Sequence, residues 1–213
     1  MEKQGFVKGD DDQVVGIQLI VLVHGFQGNS KDLKELRNNL AVSHPEALFL
    51  RSIANEGKTE GDIEEMGIRL AKEITEYIKD WGLEQTLGAL SFIGHSLGGV
   101  IIRAALPYLK KYKDIMKTLV TLSSPHLGYM YASSTIINAG MWILTKLSKS
   151  KCLEQLSITD AEDFRQSFLY KLSLKEGMGW FKNILLVGSY QDTYVPVESA
   201  RIGLMHKAIE DTK

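Results

Sequence analysis

Cysteine is nearly missing from this 213-residue chain, with Cys152 standing alone. A disulfide needs two thiols and a thiolate zinc site needs several, so the chain can hold neither by itself, and a reducing compartment, the cytoplasm, is the expected setting. An excess of one charge is missing as well. The 25 Lys and Arg against 26 Asp and Glu leave a net charge of −1, which offers no field for a phosphate backbone. No basic stripe with interleaved aromatics compensates, so nucleic acid is not an expected partner. No uninterrupted apolar run approaches the ~20 residues that span a bilayer, and the opening MEKQGFVKGDDDQ lacks the apolar core of a secretion signal. No transmembrane segment is expected, while transient contact with a membrane surface stays open.

What is present suits one soluble globular domain with a sizeable core: 44% of residues are hydrophobic and 24% charged. Residues 1–13, with Asp10, Asp11 and Asp12, read as a polar lead-in or as the edge of an excised piece, and 14–213 as the domain. Val14 to Val23 is β-branched and almost free of polar residues, as in a strand buried on both faces of a parallel sheet. Ser30 is the expected N-cap of a helix through Leu33, Leu36, Arg37 and Leu40. A short strand, Ala47 to Leu50, precedes a helix whose apolar stripe is Ile63, Met66, Gly67, Leu70, Ile74, Tyr77, Ile78 and Trp81. Strands are expected again at Leu87 to Ile93, Lys117 to Leu122 and Lys182 to Gly188. Helices are expected after Ser96, with Pro107 ending it, over Asp160 to Leu174 with Phe164, Phe168, Leu169 and Leu172 inward, and over Val197 to Ile209. Thr135 to Leu147 is apolar beyond the need of a helix packed on one side, and reads equally as a pocket cover or a core helix.

The chemistry concentrates at Gly94-His95-Ser96-Leu97-Gly98, a G-x-S-x-G pentad with an apolar strand leading in and an apolar helix leading out. That is the context a nucleophile elbow demands. A sharp turn brings neighbouring backbone too close for side chains at 94 and 98, and it aims the amides of Leu97 and Gly98 at developing negative charge. His24-Gly25-Phe26 follows the first strand, where an open α/β sheet places its ligands. The expected oxyanion donors are therefore the amides of Phe26, or a neighbour, and of Leu97. His126, after a later strand, reads either as an imidazole near the site or as a histidine fixing its own loop. Asp192, just past the last strand, stands where a triad acid belongs in the order Ser, acid, His, with a turn-forming role as the alternative. No metal or organic cofactor is implied.

Together, Val21 to Ser30, Phe92 to Gly98, Ser124 to Gly128 and Gln191 to Pro196 resemble the lipase-like serine esterases of the α/β-hydrolase superfamily. The resemblance is strongest to the esterase domain at the C-terminal end of certain large eukaryotic proteins, and it runs from about Val14 onward. It implies an α/β-hydrolase fold of about five parallel strands with helices on both faces, lacking the final strand and its histidine loop. It also implies Ser96 as nucleophile, Asp192 as acid and a small-molecule or lipid ester as substrate. The histidine base is expected on a segment beyond this sequence. His206 has the right chain order but follows Asp192 by only fourteen residues, inside an expected helix. His24, Gly25 and His95 belong to the two loops around the serine. The rival readings are a hydrolase-fold interaction module without turnover, and a thioesterase or acyltransferase.

Overall fold

A computed structural model describes residues 16–129 and 150–204. The polar lead-in, the apolar stretch 135–147 and His206 lie outside the described residues. Five strands form one parallel sheet: β1 (Ile17–Val23), β2 (Leu48–Arg51), β3 (Leu87–His95), β4 (Met116–Leu122) and β5 (Asn183–Val187), in the order β2-β1-β3-β4-β5. The helices are α1 (Lys34–Ser43), α2 (Ile63–Asp80), α3 (Leu97–Ala105), α4 (Lys151–Leu156), α5 (Phe168–Ser173) and α6 (Val197–Arg201). This is the α/β architecture that the sequence implied.

Strand alternation sorts the core. Leu19, Val21 and Val23 of β1 join Leu90 and Phe92 of β3 beneath α2 and α3. Leu22 and Ile93 point the other way and, with Leu33, are packed by Leu36 and Leu40 of α1. A sheet buried on both faces needs apolar residues at successive positions, which is why these strands read as runs rather than alternations. The chain leaves β1 toward β2 and later leaves β3 toward β4, so the sheet order reverses between β1 and β3. Open parallel sheets place their ligand crevice at such a point, beyond the carboxyl ends of the strands.

The expected stripe of α2 is buried from Ile63 to Ile78 except for the half-buried Tyr77, while Trp81, just past the helix, is 62% exposed and stacks on Tyr77. Three other expectations are corrected. Ser30 does not cap α1: it lies in a turn bonded to Glu56 and Arg51, and the helix begins only at Lys34. Asp160 to Leu174 is not one helix, because the Asp160 carboxylate turns back to accept the Phe168 amide. A 3₁₀ turn, Phe164–Gln166, and the short α5 result, with Phe164 half-exposed. The helix from Val197 stops at Arg201, where Ile202 takes a left-handed conformation (φ 52°, ψ 43°). Pro107 ends α3 as expected, and the chain continues as a 3₁₀ helix, Leu106–Ile115.

Helix α2 starts on Asp62, whose Oδ1 accepts the amides of Glu64 and Glu65 at 2.8 and 3.2 Å. Two otherwise orphaned donors are satisfied and acidic residues sit at the positive end of the helix. Asp62→Ala should therefore lower stability by about 1–2 kcal/mol, and Asp62→Asn, which keeps an accepting oxygen, by less than half of that. Urea midpoints of the two variants check this; equal losses would place the effect outside the cap.

Candidate active site

The carboxyl end of β3 carries Gly94 and His95 to Ser96. Gly94 lies opposite Val23 of β1 and Thr121 of β4, and the Ser96 amide donates to the Leu122 carbonyl at 2.8 Å. Ser96 itself sits at φ 52°, ψ −127°, a region that residues with a Cβ rarely occupy and that costs on the order of 1–3 kcal/mol. The spacing of the two glycines has a steric cause. A Cβ on Gly94 would come 2.6 Å from the Cα of Gly99, and one on Gly98 would overlap the Val23 carbonyl. Ser96 holds the N-cap position of α3, yet its side chain makes no cap bond. The hydroxyl is not spent on capping the helix.

The loop after β1 meets this turn directly. A Cβ on Gly25 would lie 2.9 Å from the Ser96 Cβ and 3.4 Å from its Oγ, so only glycine lets the two loops touch. His24 is buried, with Nδ1 3.0 Å from the Gly25 carbonyl and Nε2 without a partner among the described residues. The Gln27 amide donates to Thr59 Oγ1 and the Gly28 amide to the Gly25 carbonyl. The amides of Gln27 and Gly28 are thus both engaged within the protein. Leu97 is buried at the first position of α3, where helix amides lack internal acceptors.

Beyond β4 the chain turns through Ser123 (φ 49°), whose amide donates to the Val187 carbonyl at the end of β5. His126 is folded inward and buried. Its Nε2 lies 2.9 Å from Thr121 Oγ1, and the Arg103 guanidinium donates to its backbone carbonyl at 2.9 Å. Burial, aided by the charge of Arg103, lowers the imidazole to about 3, and burial lowers Arg103 to about 10. These bonds describe a neutral histidine that holds its own loop, the second of its two readings. Arg103 had escaped notice in the sequence. Its signal was a lone cation within the otherwise apolar α3, a place where burial demands partners.

Asp192 follows β5 and is half-buried. Its Oδ1 accepts the amides of Tyr194 and Val195 at 2.8 and 3.0 Å, which shapes its own turn. Because β5 neighbours β4 and β4 neighbours β3, Asp192 and Ser96 share the carboxyl edge of the sheet. No histidine among the described residues is shown bonded to either. His95 is exposed beside Ser96, and His44 caps the C-terminal end of α1 near Glu46. Among the described residues, no group of three or more His, Cys, Asp or Glu could hold a metal ion.

His126 makes stability depend on pH. Above its ordinary value of 6.5 both folded and unfolded chains keep it neutral; between 6.5 and about 3 only the unfolded chain binds the proton. Stability should fall as pH drops through that window, by about 1.4 kcal/mol per unit or about 2 kcal/mol from pH 7 to pH 5. Urea unfolding at the two pH values should show less than half of this difference in His126→Gln. An equal slope in the variant would assign the loss to other groups.

Comparisons with known proteins bear on the family and the fold. The family model described as "Putative serine esterase (DUF676)" matches residues 15–203. The chain is 30% identical over 202 residues to "Putative lipase YDL109C" of Saccharomyces cerevisiae, covering 86% of this chain and 30% of that protein. It is 27% identical to "Putative lipase ROG1" of the same yeast, covering 86% of this chain and 28% of the other. It thus spans less than a third of the length of these curated relatives. Among solved structures, phospholipase PlaB from Legionella pneumophila superposes with a TM-score of 0.52 at 16% identity, over 80% of this chain and 39% of that one, a likeness of fold. The chain belongs to the DUF676 serine esterase family and is a lipase-like α/β-hydrolase domain.

Proposed function

We propose that this domain hydrolyses carboxylic esters, in particular lipid-like acyl esters, with Ser96 as nucleophile. The observation that carries the reading is the backbone of Ser96, held at φ 52° between two glycine-enforced contacts. That conformation is costly, and a plain βα turn has no use for it. In the reading, the Ser96 hydroxyl attacks the ester carbonyl while a histidine takes its proton, and the amides of Phe26 and Leu97 stabilise the oxyanion. Asp192 orients the histidine through the carboxylate oxygen not used in its own turn. The lipase names of the yeast relatives support an acyl-ester substrate. Among the described residues no helix is long and apolar enough to cross a membrane, and the reading places the enzyme in cytoplasmic lipid metabolism with only transient contact at a lipid surface.

The base is the open role. His206 is the histidine that follows Asp192 in order, and a module without turnover is the second reading because no described histidine bonds Ser96 or Asp192. Thioesterase or acyltransferase chemistry would use the same serine.

Two measurements test the reading. A fluorophosphonate should label the chain at Ser96, and Ser96→Ala should abolish labelling; equal labelling of the variant would move the nucleophile elsewhere. An oxyanion hole without a complete triad retains roughly 10³–10⁴ over uncatalysed hydrolysis, whereas losing a triad member costs about 10⁴–10⁶ in turnover. Only trace turnover of a p-nitrophenyl ester is therefore expected, unchanged in His206→Ala. Esterase-level turnover that vanishes in His206→Ala would make His206 the base.

A further inference from the structure

Thr59 is 2% exposed, and its hydroxyl reaches across 32 residues of sequence to accept the Gln27 amide at 2.7 Å. Gln27 needs holding. Its φ of 53° lies in the left-handed region that disfavours a residue with a Cβ. The side chain of Gln27 is tied to the same strap, with Nε2 donating to Glu60 Oε1 at 2.6 Å. The easy escape from this strain is a flip of the Phe26–Gln27 peptide, which takes Gln27 to negative φ and swings ψ of Phe26 with it. Gly25, one residue earlier, packs against Ser96, so such a flip is felt at the serine.

The strap 59–63 is clamped from its other side by the start of α4. Cys152 Sγ donates to the Thr59 carbonyl at 3.0 Å and Ser150 Oγ to the Glu60 carbonyl at 3.3 Å. Gln155 accepts the Ile63 amide at 2.9 Å and donates to Asp62 at 3.0 Å. Burial pushes the Cys152 thiol up to about 11, so it stays protonated and donates at neutral pH. Two bonds from Gln27, its amide to Thr59 and its side chain to Glu60, tie the strap to the loop beside the serine, and only the Thr59 bond holds the Gln27 backbone.

From this geometry we infer that Thr59 is a positioning residue of the proposed esterase site. Its hydroxyl pins Gln27 in the left-handed conformation and thereby holds the loop after β1, with Gly25, in place against Ser96. The inference rests on the Ser96 reading and extends it to a residue that touches no substrate.

The test uses the 213-residue chain with Thr59→Val, which keeps the shape and removes the acceptor, and Thr59→Ser, which keeps the hydroxyl. Fluorophosphonate labelling of Ser96 is resolved into a maximal rate and a half-saturating concentration, well below the unfolding temperature of each sample. Displacing a catalytic donor by about 1 Å can cost 10²-fold. Thr59→Val should therefore label at least about tenfold more slowly at saturation, with the half-saturating concentration within about threefold. Thr59→Ser should stay within about threefold of the parent in both. Should Thr59→Val fail to fold, Thr59→Cys, a weaker acceptor, is read in its place. An unchanged maximal rate in the variant lacking the hydroxyl, or an equal loss in Thr59→Ser, overturns the role of Thr59 and leaves the Ser96 reading standing. A parent chain that is not labelled at Ser96 overturns both.

Discussion

Strands β1 and β3 end side by side with no room between them for a methyl group. The Val23 carbonyl fills the place of a side chain on Gly98, and Ser96 itself fills the place of one on Gly25. The parallel register sets this contact, with Val23 opposite Gly94, so the sheet and the site share one geometry. A larger residue at Gly25 or Gly98 would drive the two strand ends apart, and the hydroxyl would no longer stand above a closed edge.

Holding Ser96 and Gln27 at positive φ takes on the order of 1–3 kcal/mol each, against a typical net stability of 5–15 kcal/mol. That cost persists only where surroundings over-determine the chain. Around Ser96 the surroundings are the Leu122 carbonyl and the buried α3. Around Gln27 they are Thr59 and Glu60. The neighbouring loop after β4 is held in turn by Arg103 on the His126 carbonyl, and by Ser199 accepting the Leu127 amide. The carboxyl edge is thus a row of loops braced by buried polar groups. Such groups are firm when satisfied and costly when one partner is lost.

The edge of the sheet at β5 differs from its centre. Ile184, Leu185 and Val187 are each more than 40% exposed, unlike their counterparts in β1 and β3. The half of the sheet that carries Ser96 is enclosed by α1, α2 and α3, while the half that carries Asp192 is the less covered one.

Residues close in sequence carried most of what could be read without a structure. Apolar runs located all five strands within a few residues, and the strand, G-x-S-x-G and helix succession located the tight turn at Ser96, because such a turn is dictated locally by sterics. The errors came where side chains compete with the backbone: Asp160 capturing the Phe168 amide broke a periodic helix in two, and Ser30 found partners outside its own helix. Tertiary structure alone decided that His126 lies buried against Thr121 and Arg103 rather than open at the site. It alone decided that Thr59 reaches back to Gln27, since a hydrogen bond between residues 32 apart leaves no periodicity in the chain. Local sterics write themselves into neighbouring letters, whereas a bond between distant loops exists only once the sheet has set their separation.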